Sequence, residues 1–412
     1  MLFSTNFIQE FIDRGYFSQC TNLEDLKQIS SEQQITAYIG FDCTANSLHV
    51  GSLIQIMILR LLQKHRHKPI ILLGGGTTLI GDPSGKDESR LFLDHEQIKK
   101  NLQGIHQTLS KFINFSDNLA IFLNNHEWLK DLNYINFLRD VGSHFSINRM
   151  LSFDSVKLRL DREQNLSFIE FNYMILQAYD FYYLNKNYNC TLQIGGSDQW
   201  GNIVNGVELI RRLNSGFKNF SNSYGLTTPL LTTADGKKMG KTADVAIWLD
   251  AKMLSPYEYF QYFRNTHDND VIKFLKLFTD LPLPQINELE KLKDSNINSA
   301  KEILAFEATK ICHGEFLANE ALQKARSIFI NKNNQAFDEK IIELINGNPV
   351  KLIDIIFNIK ATESKSDAKR LIAGNAIKIN NETICDINFS FDQPQEFSLG
   401  IGKKQFFKII IK

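Results

Sequence analysis

Several short segments bring together residue types that handle phosphate. Residues 44–52, Thr-Ala-Asn-Ser-Leu-His-Val-Gly-Ser, put a histidine and hydroxyls where a strand-like run gives way to a helix. A helix start offers free N–H groups and a positive dipole end to phosphate oxygens. Gly51, without a Cβ, lets a flat ring lie against the backbone. Residues 231–244, LTTADGKKMGKTAD, carry three lysines within five positions beside the turn signal Asp235-Gly236, and such a loop can close over an anionic leaving group. Taken alone, the first segment also reads as an ordinary capped helix and the second as a solvated charge run.

A third segment, GGGTTLIGDPSGKDESR at 74–90, has Ile80 where a P-loop ending in Gly85-Lys86 needs glycine, and Asp87 in place of the magnesium-binding hydroxyl. A dinucleotide fingerprint from Gly74 and Gly76 fails at Leu79. What remains is a loop after a buried strand, carrying Asp82, Lys86 and Arg90. Finally, Tyr173, Gln177 and Asp180 are spaced by four and three residues and so share one helix face. That face is either solvated or, if it points inward, in need of polar partners.

These residues need a scaffold, and the N-terminal half supplies an alternation of strand and helix patterns. Strands are expected at 35–40, 68–73, 119–123 and 190–194, with helices at 53–63, 168–184 and 201–212. Repeated strand–loop–helix units specify a parallel sheet with crossover helices, whose ligands sit at the carboxyl ends of the strands near the switch point. The polar clusters at 44–52 and 74–90 each follow a strand. From 256 to about 325 the pattern is helical; 326–348 reads as a polar connector with one helical stretch; 349–412 reads as a small α+β module. The expected organisation is a Rossmann-like catalytic domain at 1–225, a linker with the lysine loop at 226–250, a helical domain at 251–325, the connector, and the C-terminal module.

With 412 residues, 43% hydrophobic and 22% charged, the chain is neither disordered nor too small to bury a core. Lys plus Arg equals Asp plus Glu at 46 each, which excludes binding nucleic acid by bulk charge alone. The cysteines at 20, 43, 190, 312 and 385 form no Cys-x-x-Cys, indicating a reducing, cytoplasmic setting and no zinc site. No run of 18 apolar residues predicts a membrane span, and Glu10 and Asp13 argue against a secretory signal.

The His-Val-Gly-Ser turn, followed about 190 residues later by Lys238-Met-Gly-Lys-Thr242, resembles the two signatures of class I aminoacyl-tRNA synthetases. YIGFD (38–42), GDPSG (81–85), QAYD (177–180) and QIGGSDQWGN (193–202) resemble, more closely, bacterial-type tyrosyl-tRNA synthetases, in order along essentially the whole chain. Two departures bear on nucleotide affinity: Ser52 stands where the family often has a second histidine, and Gly240 and Thr242 where the class motif has serines.

The resemblance implies tyrosine activation by ATP, followed by transfer to tRNA(Tyr). It implies that Tyr173 and Gln177 bind the substrate ammonium with Asp82 and Asn125 nearby, and that Tyr38 and Asp180 flank the phenol, Asp180 accepting its proton. Thr44 and His49 would contact phosphates, Lys238, Lys241 and Thr242 would close over the leaving pyrophosphate, and Lys86 and Arg90 would assist. Asp42, Asp198 and Gln199 would line the adenylate, with Gly40 and Gly51 near the ribose and Ser52 and Met239 part of the ATP site. ATP is a co-substrate carrying Mg2+; no dedicated metal site and no permanently bound cofactor are expected. The loops between the catalytic segments are too short to hold an editing domain.

Residues 351–412 hold ten Lys/Arg and seven Asp/Glu. Lys365, Lys369 and Arg370 in SKSDAKRLIAG resemble a small RNA-binding module that reads shape and phosphates, although a basic helix on a generic α+β domain is the other reading. The family further implies a homodimer with its interface near 130–170, and anticodon contact by the helical region. Three other readings compete: an RNA-binding protein derived from a synthetase, a tryptophanyl-type enzyme, and a nucleotidyltransferase of cofactor synthesis, which shares the first signature. The Tyr38/Asp180 pair disfavours the tryptophanyl type, because indole has no acceptor oxygen, and a C-terminal RNA-binding module has no use in the nucleotidyltransferase.

Overall fold

The computed structural model describes residues 6–81, 93–163, 166–215, 222–232, 239, 241–242, 245–291, 297–333, 338–342, 349–359, 361–362, 364–380, 382–402 and 405–412. It divides into two compact units, residues up to Leu322 and from Gln323 onward.

The first unit is built on six strands: β1 (Gln19–Cys20), β2 (Thr36–Phe41), β3 (Lys68–Leu73), β4 (Ile121–Asn124), β5 (Cys190–Gly196) and β6 (Tyr224–Thr228). Their spatial order is β1-β6-β5-β2-β3-β4, with β1 antiparallel at the edge and the other five parallel. The apolar run Lys-Pro-Ile-Ile-Leu-Leu of β3 is buried from Pro69 to Leu73, as an inner strand covered on both faces requires. The chain winds outward from β2 to β3 and β4 on one side and returns at β5 on the other. The switch point therefore lies between β2 and β5, where Tyr38 pairs in register with Gln193.

Most expected elements hold to within a few residues. The strand expected at 119–123 begins at Ile121, because ladder pairing starts at Ile70↔Ile121 and Asp117 and Asn118 occupy left-handed turn conformations at φ 51° and 58°. The helix expected at 168–184 extends over Phe168–Tyr188, between a Ser167/Glu170 capping box and Asn189, which takes the left-handed cap at φ 51°.

The helical region belongs to the same compact unit as the sheet, and buried polar contacts show why. Arg14 donates to the carbonyls of Lys276, Thr279 and Leu281 at 3.0–3.1 Å, taking an orphan acceptor in the last turn of the helix Val271–Phe278 and two carbonyls just beyond it. Tyr16 donates to the Leu277 carbonyl at 2.7 Å. Helices Pro256–Arg264 and Ile297–His313 pack beside it around Tyr259, Phe260 and Phe263.

The second unit contains a five-stranded sheet of order β12-β11-β14-β15-β9. Its strands are β9 (Asp338–Ile342), β11 (Ile377–Ile379), β12 (Glu382–Ile384), β14 (Gln395–Ile401) and β15 (Gln405–Ile411), and a small pair, β10 (Val350–Lys351) with β13 (Ser390–Phe391), lies alongside. Helices Leu352–Asn358 and Lys365–Ala373 close a core of Ile355, Ile356, Ile372, Leu399 and Ile409. The expected connector 326–348 thus supplies a strand, β9, parallel to β15. Its five residues carry no pattern of their own and acquire a ladder only because β15 lies beside them. Among the described residues, no helix is long and apolar enough to cross a membrane.

Candidate active site

A cavity of about 400 Å³ opens at the β2/β5 switch point. Thirteen of the expected residues line it: Tyr38, Gly40 and Asp42 from β2 and its end; Thr44, His49, Gly51 and Ser52 from the following turn; Asn125 after β4; Tyr173, Gln177 and Asp180 from the long helix; Asp198 and Gln199 after β5. Residues 160 positions apart converge because each follows, or faces, the carboxyl end of a central strand.

The floor of the cavity is a buried polar cluster. Asp180, 2% exposed, accepts from Trp128 Nε1 at 2.8 Å through one oxygen and from Asn125 Nδ2 at 2.9 Å through the other. Burial pushes its carboxyl up to about 7, against the lowering effect of those two donors. Beside it the Tyr38 hydroxyl is buried with no hydrogen-bond partner among the described residues, and burial together with the Asp180 charge drives its pKa well above the ordinary phenol value. Gln193, the register neighbour of Tyr38, has a buried side-chain oxygen that is also unpartnered. A buried hydroxyl left unpaired costs about 1–3 kcal/mol, so this floor is built to be completed by a ligand with a polar end.

Asn125 differs from its expected place beside an ammonium group. Its Oδ1 accepts from the backbone N–H groups of Gly76 and Thr77, and its Nδ2 donates to Thr77 Oγ1 and Asp180. Its amide is saturated by protein groups, and its effect is to hold Asp180. Higher in the cavity, Gln177 donates to Gln199 at 3.2 Å and accepts from Asn202 Nδ2 at 2.9 Å, while Tyr173 donates to Asp42 at 3.4 Å. Tyr173, Gln177 and Asp180 thus turn inward, and the solvated-face alternative falls.

At the rim, His49 is the N-cap of the short 3-10 turn Val50–Ser52 that opens the helix Leu53–Lys64. The Gly51 N–H donates to His49 Nδ1 at 2.9 Å, which fixes the neutral tautomer with its proton on Nε2. Gly51 is required sterically: a Cβ there would lie 2.5 Å from His49 Cε1 and 3.5 Å from the Met239 carbonyl oxygen. Met239, buried, donates its N–H to Leu231 O at 3.0 Å, so the two signature segments meet at Gly51. Lys241 and Thr242 form strand β7 (Lys241–Thr242), paired with β8 (Val245–Ala246). Asp82, Lys86, Arg90 and Lys238 lie outside the described residues.

On the second unit, Lys365 pairs with Asp354 at 2.7 Å, Arg370 pairs with Asp367, and Lys369 is exposed. Trp128, Asn202, Gln193 and Thr77 were not singled out by sequence reasoning. Asn202 and Gln193 close and open the block 193–202 and were within its reach. Nothing local marks Trp128, whose indole N–H finds its partner in a carboxylate 52 positions away.

Comparison with known proteins agrees with this geometry. The family model for class I tRNA synthetases (W and Y) matches residues 30–330. The chain is 55% identical over 415 residues to a tyrosine–tRNA ligase of Wolbachia sp. subsp. Brugia malayi, covering 98% of each chain. It is 53% identical over 410 residues to that of Rickettsia prowazekii, covering 97% of this chain and 98% of the relative. Among solved structures, a C-terminally truncated mitochondrial tyrosyl-tRNA synthetase of Aspergillus nidulans superimposes with a TM-score of 0.70 at 31% identity, over 78% of this chain and 94% of that one. With its signatures joined at one switch-point cavity and likeness running over nearly its full length, the chain belongs to the tyrosyl-tRNA synthetases of the class I family.

Proposed function

We propose that the cavity performs tyrosine activation, the first half of the tyrosine–tRNA ligase reaction, with the following division of labour. The observation that carries it is the buried floor: an unpartnered Tyr38 hydroxyl next to the anchored Asp180 carboxylate. A phenol fits both, donating its proton to Asp180 and accepting from Tyr38. Phenylalanine would leave the two groups unpaired, which is how the floor selects.

Tyr173, Gln177 and Asp82 hold the substrate ammonium. The carboxylate, ionised at neutral pH, attacks the α-phosphorus of ATP, forming the C–O–P bond of tyrosyl-adenylate as pyrophosphate leaves. No general base is needed, so catalysis is positioning plus stabilisation of charge in the transition state. Thr44 and His49, the latter through Nε2–H, contact the phosphates; Lys238, Lys241, Thr242, Lys86 and Arg90 act on the departing pyrophosphate. Gly40, Gly51, Asp42, Asp198 and Gln199 line the adenylate, with Ser52 and Met239 at the ATP end. A hydroxyl of the terminal tRNA ribose then takes the tyrosyl group and AMP leaves.

Magnesium enters with ATP as the counter-ion of its phosphates; among the described residues no group of three or more His, Cys, Asp or Glu is placed to hold a metal. The tRNA is met by the helical region and by Lys365, Lys369 and Arg370. The protein works in the cytoplasm as a homodimer. Supporting the dimer is a run of exposed apolar side chains within 134–169, with Tyr134 at 60%, Ile135 at 69%, Ile147 at 64% and Phe168 at 69% exposure.

The test is ATP–pyrophosphate exchange without tRNA, run with each of the twenty amino acids. Exchange with tyrosine alone is the expected result. No exchange with any of them, in a protein shown to be folded, would overturn this reading in favour of an RNA-binding protein without catalysis.

A further inference from the structure

The His-Val-Gly-Ser turn is held from outside by a segment the signatures do not include. Val50 N–H donates to Ile247 O at 2.8 Å, and Leu249 N–H donates to Leu48 O at 2.9 Å. Between them His49 and Trp248 form an antiparallel bridge. Paired residues of such a bridge project their side chains to the same side, and here the two rings meet: the centroids are 6.1 Å apart at an interplanar angle of 73°, an edge-to-face contact. Two residues before Trp248, Ala246 pairs with Lys241 in the β7–β8 hairpin. Backbone pairing therefore links Lys241 of the second signature, by way of Ala246 and Trp248, to the histidine of the first.

Three restraints on the imidazole come from the described residues. Its backbone is fixed by the bridge, its Nδ1 by the Gly51 N–H at 2.9 Å, and one side of the ring by the indole. The bridge and the Gly51 bond locate Nδ1, but neither stops the ring from tilting about that contact. The indole does, and the direction of Nε2–H depends on that tilt. A charge-stabilising donor acts only when aimed at where charge develops, so a small tilt lowers the rate without touching amino-acid binding.

We infer that Trp248 is a positioning residue for adenylate formation: its indole fixes the plane of His49 and thereby the aim of the Nε2–H donor at the phosphates. The inference rests on the assignment of His49 proposed above.

The experiment is a double-mutant cycle on the full-length protein, read by tyrosine-dependent ATP–pyrophosphate exchange. Trp248→Leu is expected to lower kcat roughly tenfold while KM for tyrosine stays within about twofold. Trp248→Phe, which keeps an aromatic edge, is expected to recover most of that loss. In a His49→Asn background, with the imidazole already gone, Trp248→Leu is expected to cost less than about twofold. An equal loss in both backgrounds overturns the inference, as does a parallel rise in KM for tyrosine or a Trp248→Phe protein no better than Trp248→Leu. If Trp248→Leu does not fold, as judged by thermal unfolding, Trp248→Met, which also lacks an aromatic edge, gives the same cycle in both backgrounds. A His49→Asn protein with undiminished exchange removes the assignment of His49 itself, and Trp248 with it. A slow His49→Asn protein with additive Trp248 effects removes the role of Trp248 alone.

Discussion

Replacing Trp128 by phenylalanine isolates the electrostatics of the phenol pocket. The new ring still stacks on Tyr183, whose centroid lies 4.3 Å from that of the indole at 14°, but the donor to Asp180 Oδ1 at 2.8 Å is lost. A hydrogen bond to a charged group is worth about 1.5–3 kcal/mol, which raises the Asp180 pKa by roughly one to two units. Starting from about 7, the carboxyl then titrates above neutrality. At pH 7.5 the ionised fraction falls, and KM for tyrosine rises, by roughly 3- to 25-fold. The assay is tyrosine-dependent exchange from pH 6 to 9, comparing the inflection of KM in the two proteins. The expected result is an inflection near 7 in the parent that moves upward in the variant, with the two KM values converging at high pH. An inflection that does not move, or a KM unchanged at pH 7.5, would refute the claim that the indole keeps Asp180 ionised. The smaller ring also leaves a void, so a lowered thermal midpoint accompanies the change and does not bear on the outcome.

Four further predictions follow from the same geometry. Tyr38→Phe removes a buried hydroxyl that has no partner, so it should leave the stability of the ligand-free protein unchanged or raise it by about 1 kcal/mol, while reducing the ratio of kcat/KM for tyrosine over phenylalanine; denaturant unfolding and competition kinetics check the two halves. Gly51→Ala drives a methyl into the His49 ring, which lies 2.5 Å from the added carbon, and should cost roughly 10- to 100-fold in exchange kcat with little change in KM for tyrosine. Because the folded carboxyl of Asp180 is raised to about 7, the folded chain holds a proton that the unfolded chain has released. That contribution is complete below the unfolded carboxylate pKa and lost as pH rises through the folded one, so calorimetry should show ligand-free stability gaining roughly 1 kcal/mol from pH 8 to 6.5, a limb that Asp180→Ala flattens. Below that, His67 and His313, both lowered by burial to about 4, act in the opposite sense, since their neutral folded forms cost stability once the unfolded chain takes up protons. Lastly, Ile135→Glu puts a charge into the exposed apolar run and should shift the sedimentation coefficient from that of the proposed dimer to that of a monomer; an unchanged coefficient would remove this run as the interface.

The strand and helix plan of the first unit is legible in the residues alone, because a buried run such as Lys-Pro-Ile-Ile-Leu-Leu and an amphipathic run such as Leu53–Lys64 are set by local pattern. It also marks much of the cavity lining: Tyr38, Gly40, Asp42, Thr44, Asn125, Asp198 and Gln199 stand within a few positions of a strand end, and a parallel sheet brings those ends together. What those residues do to one another became visible only in the fold. Asn125 turned from a substrate-side group into a support for Asp180, and Trp128 and Trp248 emerged as partners of Asp180 and His49. Such roles come from contacts across 52, 55 and 199 positions, and no periodicity encodes them. The strand Asp338–Ile342 is the same lesson in the backbone: its ladder exists because β15, far along the chain, offers unpaired N–H and C=O groups, and a five-residue segment takes the partner it is given.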